Sequence, residues 1–308
     1  MTLPPPDPGP LPQIIAPAGD PARKTQMQGI ALLLLAIVLF SLMDATAKHL
    51  GETYHPAQIV WARFVVNLGI VVLVLGPRLR RAIISHQPRL QFARGLSHIA
   101  SSGLFFTSLQ VIGLAEATAI MDINPVLITL GAAIFLGESI GIKRVIGILA
   151  ALCGAMLIIR PGAGVFQPAA LLPLIGAFTY AAGAILTRLT RSDSTATSVL
   201  WSAMVGSTLA SFVVPFFWQP IAMGDLWIFA LLGLFGTVSQ ALLIRAFALA
   251  EASAIAPFGY TGLVWAGLWG FLFWGTIPDI WTVAGALIIV IAGIYVWVRE
   301  ARAMQRGA

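Results

Sequence analysis

A seven-residue motif occurs twice in this chain, 135 positions apart. Residues 114–120 read LAEATAI and residues 249–255 read LAEASAI, and each copy comes just before a long apolar run. Five runs of membrane-spanning length separate one copy from the next, and an odd number of crossings puts the two copies on opposite sides of a bilayer. The pattern therefore predicts an inverted-topology repeat, an arrangement that is common in secondary transporters.

The composition of the chain is typical of a protein embedded in lipid. Hydrophobic residues make up 58% and charged residues 10% of the 308 positions, whereas soluble domains carry about 25% charged residues. A soluble fold of this length could not bury so much apolar surface, so a bilayer must surround most of it. The net charge of +6 does not indicate a nucleic-acid partner, because the Lys and Arg residues lie in loops between apolar runs.

Apolar runs of membrane-spanning length recur along the whole chain, each close to the ~17–25 residues that cross a hydrocarbon core of ~30 Å. We count ten and predict an all-α integral membrane protein with ten transmembrane helices as two inverted five-helix repeats. The predicted spans are 29–50, 57–76, 92–112, 117–136, 142–159, 169–189, 196–217, 225–248, 253–273 and 280–298. The repeats would cover residues 25–162 and 163–308. Residues 1–24, with eight of the 19 prolines, would form a disordered cytoplasmic tail.

Positive charges are distributed unevenly between the two ends of the predicted spans. Ten crossings put both termini on one side, and if that side is cytoplasmic, fifteen of the 18 Lys and Arg residues lie inside or at inner helix ends. The exceptions are Lys48, Arg63 and Arg160. This bias predicts cytoplasmic termini in a multi-pass protein of the cell inner membrane. Small residues such as Gly154 and Gly285 recur at packing spacing, which favours tight packing within a monomer over the seam of a weak homodimer.

Several short motifs follow one another in a characteristic order along both halves. The first half has WARF around Arg63, then Asn124-Pro125, then FLGE at 135–138, and the second half has APFGY at 256–260. Together with the ten spans, this order resembles the drug/metabolite transporter superfamily in its ten-helix EamA-type branch. The resemblance implies a central cavity whose wall is formed by spans one, three, four, six, eight and nine. Within that branch the chain looks most like bacterial exporters of amino acids and related metabolites.

Four charged residues lie in the outer parts of predicted spans, where a charged side chain costs about 2.5–3.5 kcal/mol on insertion scales. Asp44 and Lys48 are one turn apart in span one, while Arg63 in span two and Asp122 in span four lie at similar depths. We predict that they meet in one layer near the outer surface. This layer is either a structural ion-pair cluster or an outer gate for a zwitterionic substrate. The equivalent positions 135 residues later carry no charge, so the two gates should differ.

Further polar and aromatic residues in the spans are candidates for the cavity wall. Ser101, Ser102 and Gln110 give span three a polar face, although serine hydroxyls also bond their own helix backbone. Trp265 and Trp269 lie deep in span nine, one turn apart, and either line an aromatic cavity or face lipid and core. The cavity candidates are His98, Ser101, Ser102, Gln110, Asn124, Tyr180, Tyr260, Trp265 and Trp269.

One histidine and two prolines concern the working cycle of such a protein. Histidine titrates near neutral pH, so His98 is the candidate proton carrier if protons drive transport and is otherwise a hydrogen-bonding wall residue. Pro125 interrupts span four, and Pro257 marks the related region of span nine. Because proline removes a backbone donor, both are hinge candidates, and both could equally be static kinks.

We interpret the chain as a secondary transporter that moves small metabolites, in particular neutral or zwitterionic amino acids, out of the cell by alternating access. A membrane-embedded enzyme is a rival class, but the sequence has no catalytic motif, and one cysteine with four histidines forms no metal-ligand pattern. A scaffold without flux is a third class. A phosphate-ester or nucleotide-sugar exchanger and a metabolite importer are the alternatives among transporters. The expected partners are a small-molecule substrate and membrane lipid, with no nucleic acid, cofactor or metal.

Overall fold

The computed structural model describes residues 21–136, 142–159, 168–190, 192–249 and 256–307, and these segments contain helices but no β-strand. The long helices, numbered in chain order, are α1 (Pro21–Leu50), α2 (Pro56–Leu75), α3 (Pro88–Ser108), α4 (Leu114–Met121), α5 (Asn124–Leu136), α6 (Ile142–Ile159), α7 (Leu171–Leu189), α8 (Thr195–Val213), α9 (Leu226–Leu249), α10 (Thr261–Trp274) and α11 (Ile280–Gly307). Shorter helical segments are Gly76–Arg78, Leu79–Ala82, Pro168–Ala170, Val214–Phe217, Met223–Asp225 and Ala256–Tyr260. The predicted all-α class is confirmed.

Each predicted span contains a helix. Five of the described helical stretches are long and apolar enough to cross a membrane, namely Met27–Leu50, Pro56–Ala82, Pro168–Thr187, Thr195–Phe217 and Met223–Leu243. Shorter apolar helices run over Val145–Ile159 and Ile280–Tyr295. Two spans are not continuous helices, as the sequence indicated for span four at Asn124-Pro125. Span four is divided into α4 and α5, and span nine is divided into a 3-10 segment and α10.

The ends of several helices follow from proline and glycine. Pro56 opens α2 at the first helical turn, where the missing N–H of proline is no loss. The first described residue of α1 is Pro21, whereas the predicted tail extended to residue 24. Gly275 ends α10 with a φ of 63°, a left-handed conformation that glycine adopts without strain. Residues 1–20, predicted as a tail, and residues 250–255, which complete the second copy of the repeated motif, lie outside the described residues.

The helices pack mainly across the boundary between the two halves of the chain. α1 packs along α9 as α7 packs along α3, and α2 crosses α9 as α8 crosses α3. Three further contacts each join a helix to its equivalent in the other half, namely α2–α8, α4–α10 and α6–α11. Exchanging the halves therefore leaves the main packing pattern unchanged, as expected for two copies of one unit. Because each unit has an odd number of spans, the two copies run in opposite directions through a bilayer.

Glycine allows the closest helix crossings. A Cβ on Gly154 of α6 would lie 2.8 Å from the carbonyl oxygen of Gly285 in α11, and a Cβ on Gly285 would lie 2.6 Å from that of Gly154. The crossing of α3 with α8 is also close, since a Cβ on Gly95 would lie 2.6 Å from Val205 Cβ. In the corresponding crossing of α9 with α2, a Cβ on Gly233 would lie 2.3 Å from Val66 Cβ. In a membrane, such small residues let helices approach where no hydrophobic drive exists between them.

One end of the molecule, which we name the near face, is where α1 begins and α11 ends. There the loop before α3 meets the loop between α7 and α8 through the buried carboxylate of Asp193, which accepts hydrogen bonds from Ser85, His86 and Gln91. Burial would raise the pKa of Asp193, but these hydrogen bonds outweigh it and hold that pKa well below its usual range. The near-face loops are therefore joined by a charged, fully bonded group.

The opposite end, the far face, is joined by a corresponding set of loop contacts. Tyr54 OH, between α1 and α2, donates to Asp225 Oδ2 at 2.6 Å and accepts from Ala222 N at 3.0 Å. Beneath these loops lies a hydrophobic core cluster whose largest members include Leu50, Ile59, Phe64, Phe105, Phe106, Leu109, Leu114, Phe229 and Leu232. This core cluster closes the far half of the molecule.

Candidate functional site

A cavity of about 770 Å³ lies between the two halves, within the ~300–1,000 Å³ typical of small-molecule sites. Its wall includes residues of α1, α3, α4, α5, α7, α9 and α10. These helices belong to all six spans that the family resemblance implied. Arg63 of α2, together with Gly293 and Ile294 of α11, completes the lining. The cavity is thus built from both repeats.

Arg63 is the centre of a polar group on the cavity wall. Its Nη1 donates to Ser102 Oγ at 2.9 Å, and Ser102 Oγ donates to the carbonyl oxygen of His98 at 2.9 Å. The guanidinium interacts electrostatically with Asp44 of α1 and lies 5.4 Å from the centre of the Phe106 ring. An arginine held in this way presents a fixed positive charge with a donor geometry that suits a carboxylate.

Three further predicted residues continue the wall beside this arginine. His98 packs edge-on against the Phe64 ring at 5.6 Å between ring centres. Ser101 Oγ donates to the carbonyl oxygen of Gly176 at 3.0 Å and so ties α3 to α7. Tyr180 of α7 also lines the cavity.

The interruptions of both divided spans lie at the cavity wall. α4 ends at Met121 and α5 begins at Asn124, whose Nδ2 donates to the carbonyl oxygen of Met121 at 2.9 Å. Asp122 lies in the gap between the two helices. In the other half, the 3-10 segment 256–260 ends at Tyr260, directly before α10. All four of these named residues line the cavity, as discontinuous helices do at the binding sites of many transporters.

The two hinge candidates lie directly at these interruptions. Pro125 is the second residue of α5, and Pro257 is the second residue of the 3-10 segment. At the start of a helical segment the missing N–H of proline requires no hydrogen bond. Pro125 therefore begins a new segment and does not bend a continuous helix, whereas the residues before the Pro257 segment, 250–255, lie outside the described residues.

Three oxygen atoms of the cavity wall are buried without a hydrogen-bond partner among the described residues. They are Thr118 Oγ1 and Asp122 Oδ2 in the first half and Tyr260 OH in the second. Tyr260 OH lies against α11, where a Cβ on Gly293 would come within 1.6 Å of it. Buried polar atoms in folded proteins normally have partners, so each of these atoms needs an explanation.

Lys48 and Gln110 lie at the far face, outside the cavity lining. Lys48 Nζ donates to the carbonyl oxygens of Leu109 at 2.8 Å and Ile112 at 3.0 Å. Gln110 Nε2 donates to the carbonyl oxygen of Gly51 at 3.1 Å. The carbonyl groups that follow α3 attract the ammonium group because a helix C-terminus carries partial negative charge. Lys48 is therefore not part of the charged layer predicted from the sequence. The other three members, Asp44, Arg63 and Asp122, line the cavity.

Trp265 and Trp269 also lie outside the cavity lining. Their rings stack with 5.7 Å between centres, and the stack continues from Trp269 to Phe273 at 5.8 Å. Trp269 Nε1 donates to Ser41 Oγ at 2.9 Å, and Ser41 lines the cavity. The indole N–H finds its partner on α1, which holds the ring behind the wall.

The structure adds lining residues that the sequence analysis did not single out, among them Arg94, Thr118 and Gln240. Arg94 Nε donates to Gln91 Oε1 at 3.2 Å, and its Nη2 donates to the carbonyl oxygen of Ser198. Because Arg94 is one turn before the predicted histidine of span three, their shared helix face was a usable signal. Gln240 had no comparable signal, since an isolated polar residue in an apolar span does not show which way it faces.

The cavity extends into the near half of the molecule. Leu33 of α1, Thr187 of α7 and Leu243 of α9 lie in the near halves of their helices and line the cavity. On the far side, the core cluster and the bonds of Lys48 to the loop after α3 close over it. The structure therefore has its far side sealed.

A model of the EamA-like transporter family matches residues 27–160 and again residues 167–298. The chain therefore carries two copies of the family's domain, one in each half of the packing pattern described above.

Three characterised relatives match most of the chain. The pseudopaline exporter of Pseudomonas aeruginosa is 29% identical over 275 residues, covering 86% of this chain and 94% of the relative. The S-adenosylmethionine uptake transporter of Rickettsia bellii is 25% identical over 286 residues, covering 92% and 98%. The riboflavin transporter of Rhizobium johnstonii is 28% identical over 305 residues, covering 94% and 97%. A crystal structure with 15% identity has a TM-score of 0.63 over 91% of this chain and 99% of that one, a likeness of fold alone.

Proposed function

Since the chain belongs to the EamA-like transporter family, we propose that it exports small zwitterionic metabolites, amino acids in particular, across the inner membrane by alternating access. The relatives are named as metabolite transporters, and this protein is accordingly a metabolite transporter and not an enzyme. Those names include an exporter and an uptake transporter. The substrate class and the direction must therefore be argued from the residues of this chain.

The charge balance of the cavity is the observation that carries the proposed substrate class. Two carboxylates, Asp44 and Asp122, and two guanidinium groups, Arg63 and Arg94, line the same space. A phosphate ester or nucleotide sugar would need an excess of Lys and Arg around its phosphates. The described lining has no such excess, because its two arginines face two carboxyl groups. A solute with one ammonium and one carboxylate matches both signs, and amino acids are the simplest such solutes.

The substrate's carboxylate is assigned to Arg63. Its guanidinium lies on the cavity wall and bonds Ser102 through one nitrogen, which leaves other N–H donors for a bidentate bond. Asp44 of α1 interacts electrostatically with the same guanidinium. Tyr180 adds a hydroxyl group from α7. The empty site is thus stable without substrate and specific for an anionic group when substrate enters.

The far gate and the interrupted spans supply the moving parts. Lys48 bonds two carbonyl groups beyond α3, and these bonds must break when one repeat rocks against the other to open the far side. The interruptions before Pro125 and at Pro257 lie in the spans that would bend. With the far side closed, the cavity reaches the near half. If the near face is cytoplasmic, as the charge bias indicates, solute loads from the cytoplasm and the protein exports it.

Flux measurements test the substrate class and the energy source together. Purified protein in liposomes should move neutral amino acids down their gradients and should not move phosphate esters or nucleotide sugars. We expect the same final level of solute with and without an imposed pH gradient, as for a facilitator. We also expect His98→Gln to retain downhill exchange, because His98 contributes its backbone carbonyl to the bonded wall.

Two outcomes would contradict these expectations in different ways. Transport of a nucleotide sugar with no amino-acid flux would overturn the proposed substrate class. Accumulation of an amino acid against its gradient, driven by the pH gradient and abolished in His98→Gln, would instead identify a proton-coupled carrier with His98 as its proton site.

Orientation can be tested by labelling single cysteines in intact cells. A cysteine in the loop at 78–91 should react with an impermeant maleimide only after the membrane is permeabilised, because the charge bias puts this loop inside. The background is Cys153→Ser, since Cys153 is the only cysteine. Thr53→Cys, at an exposed position of the far face, is the matched control and should react from outside. The reverse pattern would refute the orientation and the export direction.

A further inference from the structure

The three unpartnered oxygen atoms of the wall have a common explanation. We propose that Thr118, Asp122 and Tyr260 form an acidic pocket that binds the positively charged group of the substrate, an ammonium or another compact cation. The inference rests on the proposed function, because it assigns the second charge of a zwitterion whose carboxylate binds Arg63. It names the residues that would separate zwitterions from plain carboxylic acids.

The number and type of the atoms match an ammonium group. A primary ammonium has three N–H donors and no acceptor. The pocket offers three oxygen atoms without partners among the described residues, Thr118 Oγ1, Asp122 Oδ2 and Tyr260 OH. Thr118 and Asp122 are four residues apart and share one helix face, and Tyr260 interacts electrostatically with Asp122 from the other repeat. The two repeats would thus close on the cation from both sides.

One helix end beside the pocket, the C-terminus of α4, favours a cation, whereas α5 and α10 begin beside it with the partial positive charge of a helix N-terminus. Asp122 follows the last residue of α4, and the C-terminal end of a helix carries partial negative charge. When ionised, the Asp122 carboxylate adds a full negative charge at the same point. In transporters with discontinuous helices, C-terminal ends of half-helices coordinate cations in this manner.

Other charges near the cavity already have partners in the chain. Arg63 bonds Ser102 and interacts with Asp44, and Arg94 bonds Gln91 and the carbonyl of Ser198. Among the described residues, neither cavity carboxylate forms an ion pair with Lys, Arg or His, but Asp44 interacts electrostatically with Arg63 whereas Asp122 has no such cation. Since an unpaired charge in a membrane is costly, a cationic solute is the partner that would hold the Asp122 carboxylate in its ionised form.

The test uses three compounds that share one side chain. Phenylalanine has both charges, 2-phenylethylamine has only the ammonium, and 3-phenylpropanoate has only the carboxylate. Binding to the purified full-length protein is measured by the shift of its thermal unfolding with ligand concentration. Asp122→Asn should weaken binding of phenylalanine and 2-phenylethylamine about tenfold or more, as for a lost charge-assisted hydrogen bond, and should leave 3-phenylpropanoate unchanged.

Two further variants keep the test decisive. Tyr260→Phe removes only a hydroxyl without a partner in the described chain, so it should fold normally and weaken both amines several-fold, which answers the case in which Asp122→Asn fails to fold. Asp44→Asn is the matched control, because it removes a carboxylate beside Arg63 and should affect the two amines less than Asp122→Asn does.

The possible failures are distinguishable. If both pocket variants bind all three compounds with wild-type affinities, the acidic pocket is refuted while the proposed function stands. If the wild type binds 2-phenylethylamine but not phenylalanine, the pocket is supported and the amino-acid substrate is refuted. If the wild type binds none of the three compounds, both proposals are overturned.

Discussion

Replacing Arg63 with glutamine should abolish amino-acid transport in liposomes, with flux falling about 100-fold or more, because the bidentate contact with the substrate's carboxylate loses two charge-assisted hydrogen bonds of about 1.5–3 kcal/mol each. The substitution removes the guanidinium assigned to the substrate's carboxylate, and it also deprives Asp44 of the cation with which it interacts. The hydrogen bond to Ser102 at 2.9 Å is lost or weakened as well. The measurement is radiolabelled flux per amount of monodisperse protein.

The matched control for this variant is Arg245→Gln. Arg245 lies on α9, is exposed, and is not part of the cavity lining, so its loss should change flux by no more than about twofold, as for an ordinary surface substitution. Arg63→Gln should still bind 2-phenylethylamine, which has no carboxylate. Wild-type amino-acid flux in Arg63→Gln would show that the substrate's carboxylate binds elsewhere.

Replacing Gly285 with leucine should prevent α6 and α11 from packing. A Cβ at this position would lie 2.6 Å from the carbonyl oxygen of Gly154, a backbone atom that cannot rotate away. Overpacking a tight contact costs about 1–3 kcal/mol even where side chains can adjust, so we expect the thermal unfolding midpoint to fall by about 5 °C or more. Size-exclusion chromatography and thermal unfolding in detergent measure the effect.

Gly267→Leu is the control for leucine at a helical glycine. A Cβ at Gly267 of α10 would have no atom within 4 Å, so the change should alter the unfolding midpoint by far less than Gly285→Leu does. Equal stability of the wild type and Gly285→Leu would mean that α6 and α11 do not approach as closely as the structure has them.

Hydropathy and the repeated motif were enough to predict the class and the repeat architecture. A bilayer forces each backbone N–H and C=O to bond within its own segment, so a long apolar run reads as a helix. The same argument was insufficient for spans four and nine. Their interruptions come at Asp122-Ile123 and before Thr261. A nearby proline indicates that a helix either starts or bends there, but the sequence does not distinguish a start from a bend.

Candidate site residues were found by the cost of placing charge in lipid, and that cost applies wherever a charged residue ends up. Asp44, Arg63 and Asp122 line the cavity, whereas Lys48 bonds backbone carbonyls at the far face. Carbonyl acceptors exist at every helix end and leave no mark in the sequence. The orientation of the Trp269 ring was likewise set by its hydrogen bond to one hydroxyl on another helix, Ser41 Oγ. The spacing of residues within the helix of Trp269 could not indicate this partner.

The sequence by itself determined that this protein is a two-repeat helical transporter in a membrane, because composition, span length and the repeated motif can be read directly from the order of residues along the chain. Only the tertiary structure decided which polar groups face a common cavity. That depends on helix rotation and on the packing of segments far apart in sequence, which brings Asp122 of the first repeat and Tyr260 of the second to one cavity. It also decided that three oxygens in the wall lack partners among the described residues, because an atom is unpartnered only when the positions of all its neighbours are fixed.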